Sequence, residues 1–374
     1  FYFMADRKIE MKYLIGLDLG ATNAKGAVID ELGRVLAFET RALGNELQVE
    51  SIVSILAVCA RQAVLASGVS WSHIIGVGVG TPGAVIDDGY VTGSGNLGWH
   101  RVPLKWMMAD ALGLNDTKVV VLNDADAAIH AELWVGAASR RNSAALLTLG
   151  TGVGCGIAVF GKVVTGTTST MEGGHMIIVQ NGRQCACGGR GCLEAHASAT
   201  AIASDYQERT GKMHLTCAQV FTRAANGDTT AQSVIDDAAQ AVAIGCVNLI
   251  RLLDPDVVIL AGGVATQGNG FLHKVRKYAD ELKWTCLPSR HNIIVLAAAG
   301  VHTGCLGAAK AARDAISLRD NVTGLSRRRS EPSCFCFSSF FPSRLSGDED
   351  ATTTSSCTSL PLLRYQSQKK MNVR

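Results

Sequence analysis

Three things are scarce in this sequence: net charge, long apolar runs and a leader-like start. Basic and acidic residues nearly cancel, 35 Lys and Arg against 32 Asp and Glu, for a net charge of +3. So even a balance supplies no electrostatic reason to expect nucleic acid or an anionic membrane as a partner. No stretch reaches the roughly 18 uncharged apolar residues that a membrane helix needs. Ser51–Leu65 is broken by Arg61, and Ala144–Phe160 is punctuated by glycines. The opening residues, FYFMADRKIEMKYLIGLD, put Asp6, Arg7, Lys8 and Glu10 after an apolar start, which is not the order of a secretory signal. A cytoplasmic location with reduced thiols is the expectation, and a tight group of cysteines then reads as metal before disulfide. Met4 and Met11 are both candidate starts, and the first dozen residues are expected to lie outside the fold.

What is present is glycine, 40 residues of it, and apolar side chains, 47% of the chain. A length of 374 residues suits about two domains. Strand-like stretches fall at Tyr13–Asp18, Lys25–Asp30, Arg34–Thr40, Ile74–Val79 and Val119–Leu122, with helices expected at Val49–Ala66 and Ala125–Ala138. The second half adds helices at Ala199–Glu208, Cys217–Ala225, Ala231–Leu253, Phe271–Trp284 and His302–Ile316, and strands at Val257–Leu260 and Asn292–Ala297. This alternation means an α/β architecture.

The pattern also repeats once. LDLGATNAKGAVI from Leu17 aligns with LTLGTGVGCGIAV from Leu147, matching Gly20 to Gly150 and Gly26 to Gly156. A single duplication suggests two related lobes, since a solenoid needs more copies. Beyond Leu318 the chain is serine-rich and aperiodic, with like-charge runs at Arg327–Arg329 and Asp348–Asp350, so residues 319–374 are expected to be a disordered tail.

Each glycine turn exposes backbone N–H groups between two strands. Around Gly20, the side chains of Thr22, Asn23 and Lys25 add donors and charge for a phosphate, and Asp18 can hold Mg²⁺ through water. Gly150–Gly154 is the same device in the second copy; either turn alone is more often a plain hairpin, and it is the pair that points to a polyphosphate. Gly262 and Gly263, after a buried strand, offer a close approach for adenine or ribose, or are simply a tight strand-to-helix turn. Asn123 and Asp124 end a strand and open a helix. There Asp124 suits two tasks: an N-cap, or a general base accepting a hydroxyl proton during phosphoryl transfer.

The densest chemistry lies in MEGGHMIIVQNGRQCACGGRGCLEAHAS. His175, Cys185, Cys187 and Cys192 have the spacing H-x9-C-x-C-x4-C, with glycines that let the chain wrap. Four such ligands suit tetrahedral Zn²⁺, while a disulfide between Cys185 and Cys187 would close a small strained ring. With every position filled by protein, such a zinc is structural. If one imidazole nitrogen of His175 binds the metal, the other is held in a fixed direction, free to bond a ligand. Glu172 and Glu194 flank the loop, and paired carboxylates of this kind accept the vicinal hydroxyls of a sugar; either alone reads as a solvated residue. His130, His196, His214, His291 and His302 have no such company and read as surface or core residues.

Taken together, DLGATNAK, GVGTPGAV, GNLGWHRVPL, LNDADAA, LTLGTGVG, EGGH, CACGGRGCLEAHAS and LAGGV resemble the ROK family of sugar kinases, most closely its ATP-dependent glucokinases. The resemblance spans about Tyr13 to Lys310. It implies a two-lobe, actin-like (RNase-H-like) α/β fold with ATP and sugar meeting in the cleft. The implied lobes are 13–133, completed by the helix 302–316, and 134–301, which carries the zinc loop, with 1–12 as an extension. The implied reaction moves the γ-phosphate of ATP to the 6-hydroxyl of glucose, with Mg²⁺ and structural Zn²⁺. Asp124 is implied as the base, and Asn96, Asn123, Glu172, His175 and Glu194 as sugar ligands. Gly20, Thr22, Asn23, Thr151 and Gly152 are implied to meet the ATP phosphates, and His175, Cys185, Cys187 and Cys192 to hold zinc. A homodimer is a further implication. Two departures stand out: Cys155 where a glycine is usual, expected to bear on ATP binding, and Gly173 where a bulkier apolar residue is usual. Kinases of N-acetylmannosamine or N-acetylglucosamine remain alternatives. A sugar-responsive repressor is not expected, because only about a dozen residues precede the first strand, too few for the DNA-binding helix-turn-helix that such repressors carry there.

Overall fold

A computed structural model describes residues 11–329 except 45–47, 94–96, 167–170, 212–214, 268, 285 and 287. Its framework is two five-stranded sheets with the same strand order. In chain order, β1 (Tyr13–Leu19), β2 (Asn23–Asp30) and β3 (Val35–Ala42) precede α1 (Val49–Ser67) and β4 (Ile74–Thr81). A small hairpin of β5 (Ala84–Ile86) and β6 (Tyr90–Thr92), then α2 (Leu104–Leu112), lead to β7 (Val119–Asn123) and α3 (Asp124–Val135). Next come β8 (Ala144–Leu149), β9 (Val153–Val159), β10 (Lys162–Val163) and α4 (Glu194–Ala197). Helices α5 (Ala199–Thr210), α6 (Cys217–Ala225) and α7 (Thr229–Leu253) follow, then β11 (Val257–Ala261), α8 (Asn269–Glu281), β12 (Ile294–Leu296) and α9 (Thr303–Arg329). The sheets run β3-β2-β1-β4-β7 and β10-β9-β8-β11-β12. In each, the first three strands are antiparallel and the last two join in parallel.

The duplication is therefore present in the structure, but its register differs from the ungapped alignment. Leu19 pairs with Ala24 across the first turn, and Leu149 pairs with Val153 across the second. The first turn thus has four residues, 20–23, and the second three, 150–152. Every pairing after the turn slips by one. Gly26 faces Leu17, while Cys155 faces the equivalent Leu147, so Cys155 rather than Gly156 is the counterpart of Gly26.

Apolar residues fix the layers. One face of the first sheet buries α1 and α2 around Ile15, Leu17, Leu56 and Met108. The outer face of the second sheet buries α5 to α8 around Leu147, Tyr206, Val242 and Phe271. Between the sheets, Ile129 of α3 packs with Leu146 and Ile259, while Ala131 packs with Leu14, Ile29 and residues of α9. Helix α9 lies so close to the first sheet that a Cβ on Gly16 or Gly78 would sit 1.8 Å from the Cys305 or Ala308 carbonyl oxygen. Glycine in two adjacent strands is what admits that helix. Length and hydropathy alone would let α1 and α7 span a membrane. In the structure both bury one side in these cores.

Helix α9 runs on to Arg329 instead of ending at Ile316, so residues 319–329 are helical rather than part of an irregular tail. No proline lies between Thr303 and Pro332, and Leu and Arg favour helix. Residues 330–374 lie outside the described ones. Helix α3 starts one residue earlier than expected, because Asn123 is its N-cap, and stops where Gly136 turns to an extended backbone.

Candidate active site

The first glycine turn closes with a bond from the Gly20 N–H to the Asn23 carbonyl, 2.9 Å, and the Asn23 amide donates to Thr22 Oγ1 at 2.9 Å. Thr22 is exposed at the tip. Asp18 and Lys25 face each other across the strands and pair at 2.9 Å. Burial alone would lower the pKa of Lys25, but the Asp18 carboxylate outweighs it and raises it. Asp18 also abuts the first turn of α9, where a Cβ on Gly304 would be 2.4 Å from its carboxyl carbon. The positive end of that helix favours an acid there.

Asn123 and Asp124 divide the two tasks open at their position. Asn123 Oδ1 caps α3 by accepting the Ala125 N–H at 2.8 Å, and its amide donates to the Gly83 carbonyl at 3.0 Å. Capping thus falls to Asn123, and Asp124 is the first residue of the helix. Its Oδ1 shares the Ala125 N–H at 2.9 Å. The Asp124 side chain touches solvent on one side, yet protein crowds it on the others. That loss of water pushes its pKa up to about 6, with the Ala125 N–H pulling it back and the Asp18 carboxylate adding to the rise. Asp126, buried two residues on, is pushed up to about 7 by burial and by the Asp124 and Glu172 carboxylates.

The second turn is supported from behind. Thr200 donates to the Thr151 carbonyl at 2.8 Å, and the Ala199 N–H donates to Gly150 at 2.8 Å. Glu194 Oε2 accepts the Val153 N–H at 2.9 Å, and a Cβ on Gly152 would lie 2.4 Å from that oxygen. Glu194 thus joins the zinc-loop segment to this turn. Gly262 has φ +88°, and its Cβ would lie 2.5 Å from the Leu149 carbonyl oxygen, so glycine is required there by the chain itself. Gly263 is exposed, with open space where a Cβ would point.

His175, Cys185, Cys187 and Cys192 converge, their donor atoms all within 4.8 Å of one another. A tetrahedral site with 2.3 Å zinc–sulfur bonds has sulfur–sulfur edges of about 3.8 Å. The Cys187 and Cys192 sulfurs are 3.7 Å apart, and Cys185 Sγ is 3.6 Å from His175 Nδ1. The donor set and its spacing therefore fit zinc. With Nδ1 turned to the cysteines, His175 Nε2 faces Glu172 Oε2 at 4.0 Å. Gln184 holds the loop by donating to the carbonyls of Gly188 and Gly189 at 3.2 Å, and Arg183 pairs with buried Asp205 of α5 at 2.5 Å.

The second turn and the Cys3His loop open onto a cleft of about 850 Å³, lined by Pro82, Gly83, Thr151, Gly152, His175 and Glu194 among others. Asn96 lies outside the described residues, as does His214. Cys155 is not in the phosphate turn: it sits in β9, buried, with its thiol pushed up to about 12 by burial. A Cβ on Gly173 would fall 2.6 Å from its sulfur. The two departures are one trade of volume, a larger residue in the strand against a smaller one in the turn that carries Glu172 and His175. Thr200 and Arg183 were not singled out from sequence. Their signals are positional, and only folding brings them to the cleft.

Comparison with known proteins gives the family and the fold. The ROK family pattern matches residues 14–315. A glucokinase of Thermotoga maritima is 34% identical over 271 residues, covering 68% of this chain and 83% of that protein. An N-acetylmannosamine kinase of Vibrio cholerae is 33% identical over 296 residues, covering 78% and 96%. The structure of a ROK family glucokinase from Streptomyces griseus, in complex with glucose and AMPPNP, aligns with a TM-score of 0.68 at 30% identity, covering 81% of this chain and 99% of that one. With two like-ordered sheets, a Cys3His loop beside the cleft and a family match across both, this chain belongs to the ROK family and has the actin-like α/β fold of its sugar kinases.

Proposed function

We propose that the protein is an ATP-dependent hexokinase that transfers the γ-phosphate of ATP to the 6-hydroxyl of glucose. The observation that carries this reading is Asp124: a carboxylate beside the N-cap Asn123, whose amide bonds cleft-lining Gly83, and crowded by protein to a pKa near 6. A base of that strength is largely ionised at neutral pH and still takes a proton readily. Asp124 accepts the hydroxyl proton as the oxygen attacks phosphorus in line. Glu172 and His175 Nε2 hold ring hydroxyls, and Glu194 steadies the wall they share with the second turn. The N–H groups of the two glycine turns receive the phosphates of Mg²⁺-bound ATP, with Gly263 open to the nucleoside. When bound, zinc stiffens the loop and fixes the direction of His175. Closure of the cleft excludes water that would otherwise be phosphorylated.

N-acetylmannosamine is the second reading, favoured by the Vibrio cholerae relative at 33% identity. An ADP-release assay across glucose, mannose, N-acetylmannosamine and N-acetylglucosamine separates the two. Glucose is expected to give the highest kcat/KM. A preference for N-acetylmannosamine selects the second reading, and no sugar-dependent ADP release removes both.

A further inference from the structure

Glu132 lies in the last turn of α3, with none of its surface exposed. That is a poor place for an acid, since a helix C-terminus favours cations and a buried carboxylate needs donors. Its donors are three backbone N–H groups. Ala137 donates to Oε2 at 2.6 Å, Ala298 to Oε1 and Oε2 at 3.0 and 3.1 Å, and Ala299 to Oε1 at 2.8 Å. These residues have a common topological position. Ala137 is where the chain leaves α3 for the second sheet, which begins at Ala144. Ala298 and Ala299 are where it leaves β12 for α9, which packs on the first sheet. One carboxylate therefore grips both passages between the sheets. The two helices that follow or precede those passages also meet backbone to backbone, where a Cβ on Gly307 would lie 1.6 Å from the Ala127 carbonyl oxygen.

We propose that Glu132 is a hinge clamp: it ties the two inter-sheet passages together so that the halves close on substrate as rigid bodies about the α3–α9 crossing. It is a positioning residue. It lies eight residues from Asp124 along α3, about 12 Å at 1.5 Å per residue, and acts on the base through that helix. A gripped pair of passages leaves rotation about the crossing as the soft motion and resists sliding, which would misplace Asp124 against the glycine turns.

The proposal rests on the kinase reading, and the test separates the two. Wild type, Glu132→Gln and Glu132→Asp are compared by small-angle scattering with and without AMPPNP and the hexose turned over in the assay above. Kinetics are measured in parallel. Gln replaces one acceptor with a donor facing N–H groups, and Asp is too short to reach both passages. Both variants are expected to bind hexose within about threefold of wild type, to lose most of the ligand-induced compaction, and to fall at least tenfold in kcat, a loss of about 1.4 kcal/mol in transition-state stabilisation. Full compaction and full kcat in a folded variant overturns the clamp and leaves the kinase reading intact. If neither variant folds, the carboxylate is a folding requirement and the clamp is overturned. A wild type that neither compacts nor turns over any sugar overturns both.

Discussion

The two glycine turns hold the same place in two sheets of one strand order, yet each is held differently. The first is charged and self-contained: Asp18 and Lys25 pair across its strands. At the equivalent cross-strand position the second has Thr148 and Gly154, joined by a neutral bond of 3.1 Å from the Gly154 N–H to Thr148 Oγ1. The second turn is one residue shorter and leans on Glu194 and Thr200, both supplied by chain inserted between β10 and β11. In the first half the corresponding gap holds, among the described residues, α1 and a short 3-10 turn at Trp71–His73. In the proposed reading, a duplicated scaffold supplies two turns for phosphate, and what was inserted into one copy gives that copy a wall for the sugar.

The largest difference between the halves is at the end of the fifth strand. In the first sheet it ends in Asn123 and is followed by Asp124; in the second it ends in Leu296 and is followed by Ala297. Asp124→Asn is expected to lower kcat by on the order of 10²–10⁴ while leaving hexose binding in place. The wild-type rate should fall as pH drops below about 6, as Asp124 protonates, and the variant should lack that limb. The stability sign is opposite. The folded pKa lies above the ordinary value of 3.8, so folding favours the neutral acid, and this contribution is lost as pH rises from about 4 through about 6. Asp124→Asn, neutral throughout, should therefore melt at or above wild type at pH 7, with the gap closing near pH 4. Near-normal turnover in the variant would remove Asp124 from the mechanism.

Second in size is the loop that only one half has. Cys187→Ser should abolish stoichiometric zinc and raise hexose KM by about 10- to 100-fold, the range for losing a group that orients a metal site's residues. ATP KM should move much less, because the first turn holds itself by the Asp18–Lys25 pair. Elemental analysis together with both KM values checks this. A zinc-free protein with unchanged hexose KM would uncouple the metal from the sugar.

Motif-sized features were legible in the sequence, and features that depend on register were not. The Cys3His spacing announces itself because metal geometry demands those residue types within a short loop. The duplicated turn was visible too, but an alignment without gaps cannot show that one turn is a residue shorter. In a strand a shift of one residue reverses every side chain. That is why Cys155 looked like part of the phosphate turn, while its side chain lies buried against Gly173. The division between Asn123 and Asp124 was similarly hidden, since either side chain can cap a helix and backbone geometry chooses between them. Glu132 gave no local signal, because its partners lie 166 and 167 residues away as well as 5.

The finest distinction is between the turn glycines themselves. Neither Gly20 nor Gly152 needs a left-handed backbone. A methyl on Gly20 meets only the Asn23 carbonyl oxygen at 3.3 Å, whereas one on Gly152 meets Glu194 Oε2 at 2.4 Å. Gly20→Ala should therefore cost little, its small crowding offset by the reduced freedom of the unfolded chain, worth about 0.4–1 kcal/mol. Gly152→Ala must push Glu194 aside and break its bond to Val153, and through Glu194 it reaches the zinc-loop segment. ATP KM should rise in both variants, since either methyl crowds the phosphate path. Hexose KM should rise about fivefold in Gly152→Ala alone, roughly 1 kcal/mol of binding. Equal hexose KM in the two variants would mean that Glu194 does not transmit between the second turn and the sugar wall, and that the halves differ in sequence without differing in task.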